Sequence, residues 1–213
     1  MKKNVTLMVL LTVLALFLFN GQMAVEAVET DLGYISPYAG VSYNTFDIDG
    51  TDWEMENITY DDSEDSGIGL FLGARHWFDD ENLQGLAVGG EFDWLGTVEL
   101  SDADRKAEIS TMGFLATAAY RLSAISDNMP EELYATFSGG IYRSSFEAED
   151  DVGEVLDENY RGPGIKVGLQ GAFPVQENVA IGGRAQYRYA QPHSEGDLDY
   201  NGFELGAQVE LTF

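Results

Sequence analysis

Residues 202–213, GFELGAQVELTF, alternate without a break. Phe203, Leu205, Ala207, Val209, Leu211 and Phe213 fall on one parity, and Glu204, Gln208, Glu210 and Thr212 fall on the other. Side chains of a β-strand point to opposite faces in turn, so this segment is a strand with one apolar and one polar, partly charged face. It ends on an aromatic residue in a chain of 213 residues with a formal charge of −26.

The same period recurs upstream. Seven further segments alternate in this way: 33–46, 67–78, 86–100, 109–122, 133–146, 162–173 and 179–190. Runs of Asp, Glu, Asn, Gly and Ser separate them and mark turns. Each segment exceeds the roughly 9 to 11 residues with which a tilted strand crosses a bilayer. The clearest is LAVGGEFDWLGTVEL at 86–100, with Glu91, Asp93, Thr97 and Glu99 opposite an apolar parity. In 67–78, Phe71 and Trp77 share the parity of Arg75, a misfit expected of aromatics at a rim.

The first 27 residues have a different character. A dibasic start, an apolar run over 5–19 and the small-residue pattern Val25-Glu26-Ala27 read as an export signal cut after Ala27. The run is shorter than the roughly 20 residues of a membrane-crossing helix, which argues against an anchor. The expected organisation is therefore a signal at 1–27 and one barrel domain at 28–213.

Collecting the polar parity of all eight segments gives Arg75, Arg121, Lys166, Arg184 and Arg188 as cations and Glu91, Asp93, Glu99, Glu204 and Glu210 as anions. A balanced set on one surface suits an enclosed interior, where a paired charge is tolerated and an isolated one is not. The alternative is a sheet that faces water. Arg or Lys turned to lipid costs about 2 to 4 kcal/mol at the midplane, so slipping several of them outward would approach a total stability of about 5 to 15 kcal/mol. Register is thereby fixed. Arg143 lies on the outward parity but near a segment end, where its side chain can snorkel.

Backbone groups in hydrocarbon need partners within the protein, so such a sheet must close. The expected fold is all-β: an eight-stranded antiparallel up-and-down transmembrane β-barrel, whose lumen side chains nearly fill. Connections 47–66, 101–108, 147–161 and 191–201 are expected at one end, and the generally shorter 79–85, 123–132 and 174–178 at the other. Long loops outside and short turns in the periplasm is the usual asymmetry.

Two Lys and one Glu lie within 1–27, so the processed chain carries −27. The balanced interior contributes nothing to that figure, and the excess sits in loops such as DIDGTDWEMENITYDDSEDS and EAEDDVGEVLDENYR. This surface excludes nucleic acid, whose phosphates need cations. It suits either a salty habitat or divalent cations that bridge acidic loops to lipid headgroups. Asp47, Asp49 and Asp52 around Gly50 do not match the calcium-loop spacing.

With its export signal, its eight alternating segments, RAQYRY at 184–189 before an acidic loop, and the terminal GFELGAQVELTF, the chain resembles the small eight-stranded outer-membrane β-barrel family. Members of that kind include the OmpA transmembrane domain and OmpX-like and Opa-like proteins. The resemblance implies the outer membrane of a Gram-negative-type bacterium, loops facing outside, and contact with outer-membrane lipid. It also implies that Phe213 is the signal read by the outer-membrane assembly machinery on the C-terminal strand.

Three functions remain open on these residues. The first is a non-enzymatic barrel with a closed, ion-paired lumen that stabilises the envelope or displays acidic loops to a partner. The second is a narrow porin-like channel. The third is a lipid-modifying hydrolase, for which the two histidines, His76 and His193, and the sequence His193-Ser194-Glu195 form a poor triad. No catalytic set, cofactor site or metal site is assigned. A soluble lipocalin-like barrel with the faces reversed is the alternative fold.

Overall fold

In the computed structural model, residues 33–46, 62–63, 66–102, 105–126, 128–149, 155–191 and 200–212 are described. Eight long strands follow one another: β1 (Gly33–Thr45), β2 (Ser66–Phe78), β3 (Leu86–Asp102), β4 (Arg105–Arg121), β5 (Leu133–Glu149), β6 (Val155–Gln176), β7 (Val179–Ala190) and β8 (Gly202–Leu211). Each pairs antiparallel with the next, and β8 returns to β1 from Tyr38↔Glu210 to Asn44↔Glu204, which closes the ring. The two-residue strand Asp62–Ser63 pairs with the end of β3 at Ser101 and Leu100. The export-signal residues 1–27, the Asp47–Gly50 loop, His193, Ser194 and Phe213 lie outside the described residues.

Register fixes the geometry. Following partners from Arg161 through Arg143, Met112, Trp94, Leu70, Val41, Ala207 and Gly183 returns to β6 at Gly171, ten residues from the start. A stagger of ten over eight strands corresponds to a tilt of about 40°. A 13-residue strand then rises about 30 Å along the axis, and a 17-residue strand about 40 Å. The barrel is therefore lopsided: β3, β4 and β5 have 17 residues each and β6 has 22, against 10 to 13 for β1, β2, β7 and β8.

The extra length corrects the expected loops at 101–108 and 147–161. β3 and β4 stay paired to Asp102↔Arg105, and β5 and β6 to Glu149↔Val155. Much of the acidic sequence is thus ladder. This end, holding the start of β8 and the close of β1, is the upper end below.

At the lower end the connections are compact. Residues 79–85 turn on Asp80, whose carboxylate accepts from the Asn82 backbone and side chain, and on Gly85 at φ +83. A two-residue turn joins β6 to β7 after a register shift between Pro174 and Gln176.

The outer face carries the apolar parity. Ile35, Ile68, Leu72, Phe114, Phe137, Ile141, Val167, Phe173, Ile181, Phe203 and Leu205 are all exposed there, from strands all round the ring. A continuous apolar belt of this kind would be an aggregation site in water. The reversed, soluble arrangement is excluded because the polar parity is buried.

Candidate functional site

The lumen is built from inward positions of all eight strands and falls into layers. At its centre Lys166 on β6 and Arg184 on β7 meet Glu91 and Asp93 on β3 and Glu204 on β8. The Lys166 ammonium donates to Glu91 Oε1 at 2.6 Å, Asp93 Oδ2 at 3.0 Å and Glu204 Oε2 at 3.3 Å, which uses all three of its protons. Arg184 donates to Glu91 Oε2 at 2.7 Å, pairs with Glu204, and lies 3.8 Å from Asp93. All five side chains are buried. Burying them is tolerable because each charge has opposite partners and hydrogen bonds.

Neutral groups complete the shell. Tyr38 donates to Glu91 at 2.9 Å and Tyr142 to Asp93 at 3.2 Å. The Arg184 guanidinium stacks on the Phe71 ring, 3.2 Å from its centroid. Phe71 is therefore an interior platform for a cation and not the rim aromatic its parity suggested.

Below this layer Arg75 pairs with Glu210 at 3.3 Å, donates to Gln170 at 3.0 Å and sits between the rings of Tyr38 and Tyr134. Glu210 also accepts from Tyr134 at 2.8 Å, from Gln208 at 3.2 Å and from Ser36. At the lower mouth Trp77 packs with Ala87, Ala119, Tyr134 and Ala172. Above the centre, Phe46, Leu95, Val98, Ile109, Phe146 and Tyr200 form an apolar cap with Tyr142 and Ala190.

Three of the ten charges expected in the lumen network behave otherwise. Glu99 is on the outer face. A register shift between Trp94 and Gly96, with Gly96 at φ +94, inserts one extra residue into β3 and reverses its parity. Val98 turns inward as a result and packs with Leu95, which keeps the inward parity of Glu91 and Asp93. Arg121 is half-buried at the lower mouth, bonded to Tyr34 and stacked over Trp77 at 4.5 Å, with no carboxylate partner among the described residues. Arg188 is buried, but its guanidinium goes to Asn44 Oδ1 at 3.0 Å, the Tyr200 carbonyl at 3.1 Å and the Thr45 carbonyl at 3.2 Å. It ties the top of β7 to the close of β1 and the start of β8.

The remaining seven are together inside: Arg75, Glu91, Asp93, Lys166, Arg184, Glu204 and Glu210. With Arg188 the buried charges number four of each sign among the described residues. Collecting charges alone missed the neutral partners Ser36, Tyr38, Tyr134, Tyr142, Gln170 and Gln208. Their signal was the same inward parity, on which tyrosine and glutamine are polar handles that reach carboxylates.

Glu99 joins a row. The register sets Glu99 opposite Glu108, Glu108 opposite Glu147 and Glu147 opposite Asp157 across β3 to β6. Arg143 is exposed on the same face, bonded through Nε and Nη2 to Asn159 Oδ1 at 3.3 and 2.8 Å. His76, on the outward parity of β2, packs edge-on against Phe78, away from the lumen charges.

Residues 12–210 match the family model described as the outer membrane protein beta-barrel domain. No curated protein sequence matches the chain. Among solved structures, Ail, the attachment invasion locus protein of Yersinia pestis, in complex with the heparin analogue sucrose octasulfate, has a TM-score of 0.56 at 17% identity. The likeness covers 84% of this chain and 99% of Ail. The outer membrane protein OprG from Pseudomonas aeruginosa has a TM-score of 0.50 at 12% identity, covering 85% of this chain and 96% of that one. At such identities the likeness concerns the fold.

Proposed function

The chain belongs to the outer-membrane β-barrel family, and on that premise we propose that it is a non-enzymatic barrel whose closed lumen is a structural core. It stabilises the envelope and displays its acidic upper end to a partner. The upper end, where β3 to β6 extend furthest, faces outside and the lower connections 79–85, 122–132 and 177–178 face the periplasm, the orientation of this class. The C-terminal strand β8 is the segment that the assembly machinery engages.

One observation carries this reading: the lumen is obstructed at three levels by unlike materials. An ion would have to pass the apolar cap, the five-membered charge cluster and the Arg75 and Trp77 layers. Opening any one leaves the other two in place. Planar-bilayer recording of the refolded chain is expected to give no reproducible single-channel steps. Discrete steps would replace this reading with that of a narrow channel.

Charge selects the class of partner. Sucrose octasulfate, seen with Ail, is a polyanion, and the upper wall here presents Glu99, Glu108 and Glu147 in one row. Repulsion at that row disfavours sulfated polymers and favours a cationic partner. Cells that display the barrel are expected to retain a polylysine probe in a salt-sensitive manner and to ignore heparin. Retention of heparin with no binding of polylysine would refute the assignment.

A further inference from the structure

The outer face of β3 to β6 changes character in oblique rows set by the register. One row is apolar: Phe92, Phe114, Ile141 and Pro163. The next holds Trp94, Met112, Arg143 and Arg161. Above it lie Thr97, Ser110, Ser145 and Asn159, then the carboxylate row. Successive rows are two residues apart, about 7 Å along the strand.

Arg143 and Arg161 are the unusual members. They are exposed, directly opposed across β5 and β6, and lie immediately above the exposed Ile141 and Pro163. Like charges directly opposite one another destabilise a strand pair. An anion held between the two guanidiniums turns that repulsion into charge-assisted, forked hydrogen bonding. Arg143 is already oriented by its two bonds to Asn159.

We propose that this face is a docking surface for a phosphorylated glycolipid of the outer leaflet, with its phosphate held between Arg143 and Arg161. The order of the rows supports a lipid over a soluble anion. Acyl chains lie along Phe114 and Ile141, the phosphate meets the arginine pair, and the sugar meets the hydroxyl and amide row of Ser110, Ser145 and Asn159. The site is continuous with the apolar belt and involves no lumen residue. It rests on the upper end facing the outer leaflet, and a test in detergent is independent of orientation in the cell.

The experiment is native mass spectrometry of the full barrel released from detergent, with three probes: a diphosphorylated glucosamine-disaccharide lipid, the same lipid dephosphorylated, and inorganic phosphate. The barrel is expected to retain the phosphorylated lipid about tenfold more tightly than the dephosphorylated one. Arg143→Gln with Arg161→Gln is expected to abolish that preference while leaving the heat-dependent electrophoretic shift of a folded barrel intact. Equal retention of both lipids, or an undiminished preference in the double variant, would overturn the proposal. Inorganic phosphate that displaces the lipid at equal concentration would also overturn it, by showing a simple anion site. If the double variant does not fold, Arg161→Gln alone and the wild-type comparison of the two lipids still decide.

Discussion

The barrel has two unlike walls. β3 to β6 are joined by ladders that run from the lower turns to Asp102↔Arg105 and Glu149↔Val155, whereas β1 meets β8 only from Tyr38↔Glu210 to Asn44↔Glu204. The short wall makes up the difference with side chains. It supplies Arg75, Arg184, Arg188, Glu204 and Glu210, and several of their partners lie on the tall wall: Arg184 goes to Glu91, Lys166 to Glu204, and Tyr134 to Glu210. Where the backbone ladder is shortest, the charge network bolts the seam to the tall wall. A sheet can therefore be held by its ladder or by its filling, and this molecule uses each on a different side.

The sharpest way to break the contrast is Arg184→Ala. It leaves Glu91, Asp93 and Glu204 with Lys166 alone and should lose about 3 to 5 kcal/mol, since an uncompensated buried charge remains. Equilibrium urea unfolding in lipid vesicles reads this. A loss below about 1 kcal/mol would mean that the filling does not hold the seam.

Arg188→Ala should cost less, about 2 to 3 kcal/mol, for the loss of its charged hydrogen bonds to Asn44, Thr45 and Tyr200. Its effect should also be local. Hydrogen exchange is expected to quicken at the amides of 38–44 and 204–210 and to stay unchanged in β4 and β5. Uniform quickening would show that the two walls unfold as one unit.

In the tall wall, Gly96→Ala tests the bulge. Gly96 adopts φ +94, and a Cβ there would lie 2.6 Å from the Ile68 carbonyl oxygen, so about 1 to 2 kcal/mol should be lost. Deleting Gly96 would remove the extra residue and leave Val98 inward and Glu99 outward in strict alternation, so the folded band on gels should persist.

The smallest effect has the opposite sign. Glu108 lies between Glu99 and Glu147, and Glu108→Lys should stabilise by about 0.5 kcal/mol at low ionic strength. The gain should fade as salt is added. A destabilisation would show that the carboxylate row has a favourable partner.

Much of this architecture was legible in advance. Alternation, imperfect at Phe71 and Trp77 in 67–78, marked all eight strands, because a period of two is local and a bilayer leaves closure as the remaining solution for a sheet. Parity alone placed Arg75, Lys166, Arg184, Arg188, Glu91, Asp93, Glu204 and Glu210 inside. The errors fell where geometry ceased to be local. Glu99 was misplaced because one extra residue at Gly96 inverts every position after it, and no composition signal distinguishes that glycine from others in β3. Strands β3 to β6 were read too short because charged residues in a ladder above the membrane look like loop residues.

The sequence by itself determined the barrel, its strand number and which face is oily, since these follow from side-chain period and from the cost of an unpaired backbone in lipid. Only the tertiary structure decided who pairs with whom. Lys166 meets Glu91, Asp93 and Glu204, and Arg188 meets two carbonyls, because stagger around the ring brings residues far apart in sequence to one level. That level depends on the sum of all eight registers, a quantity no single segment contains.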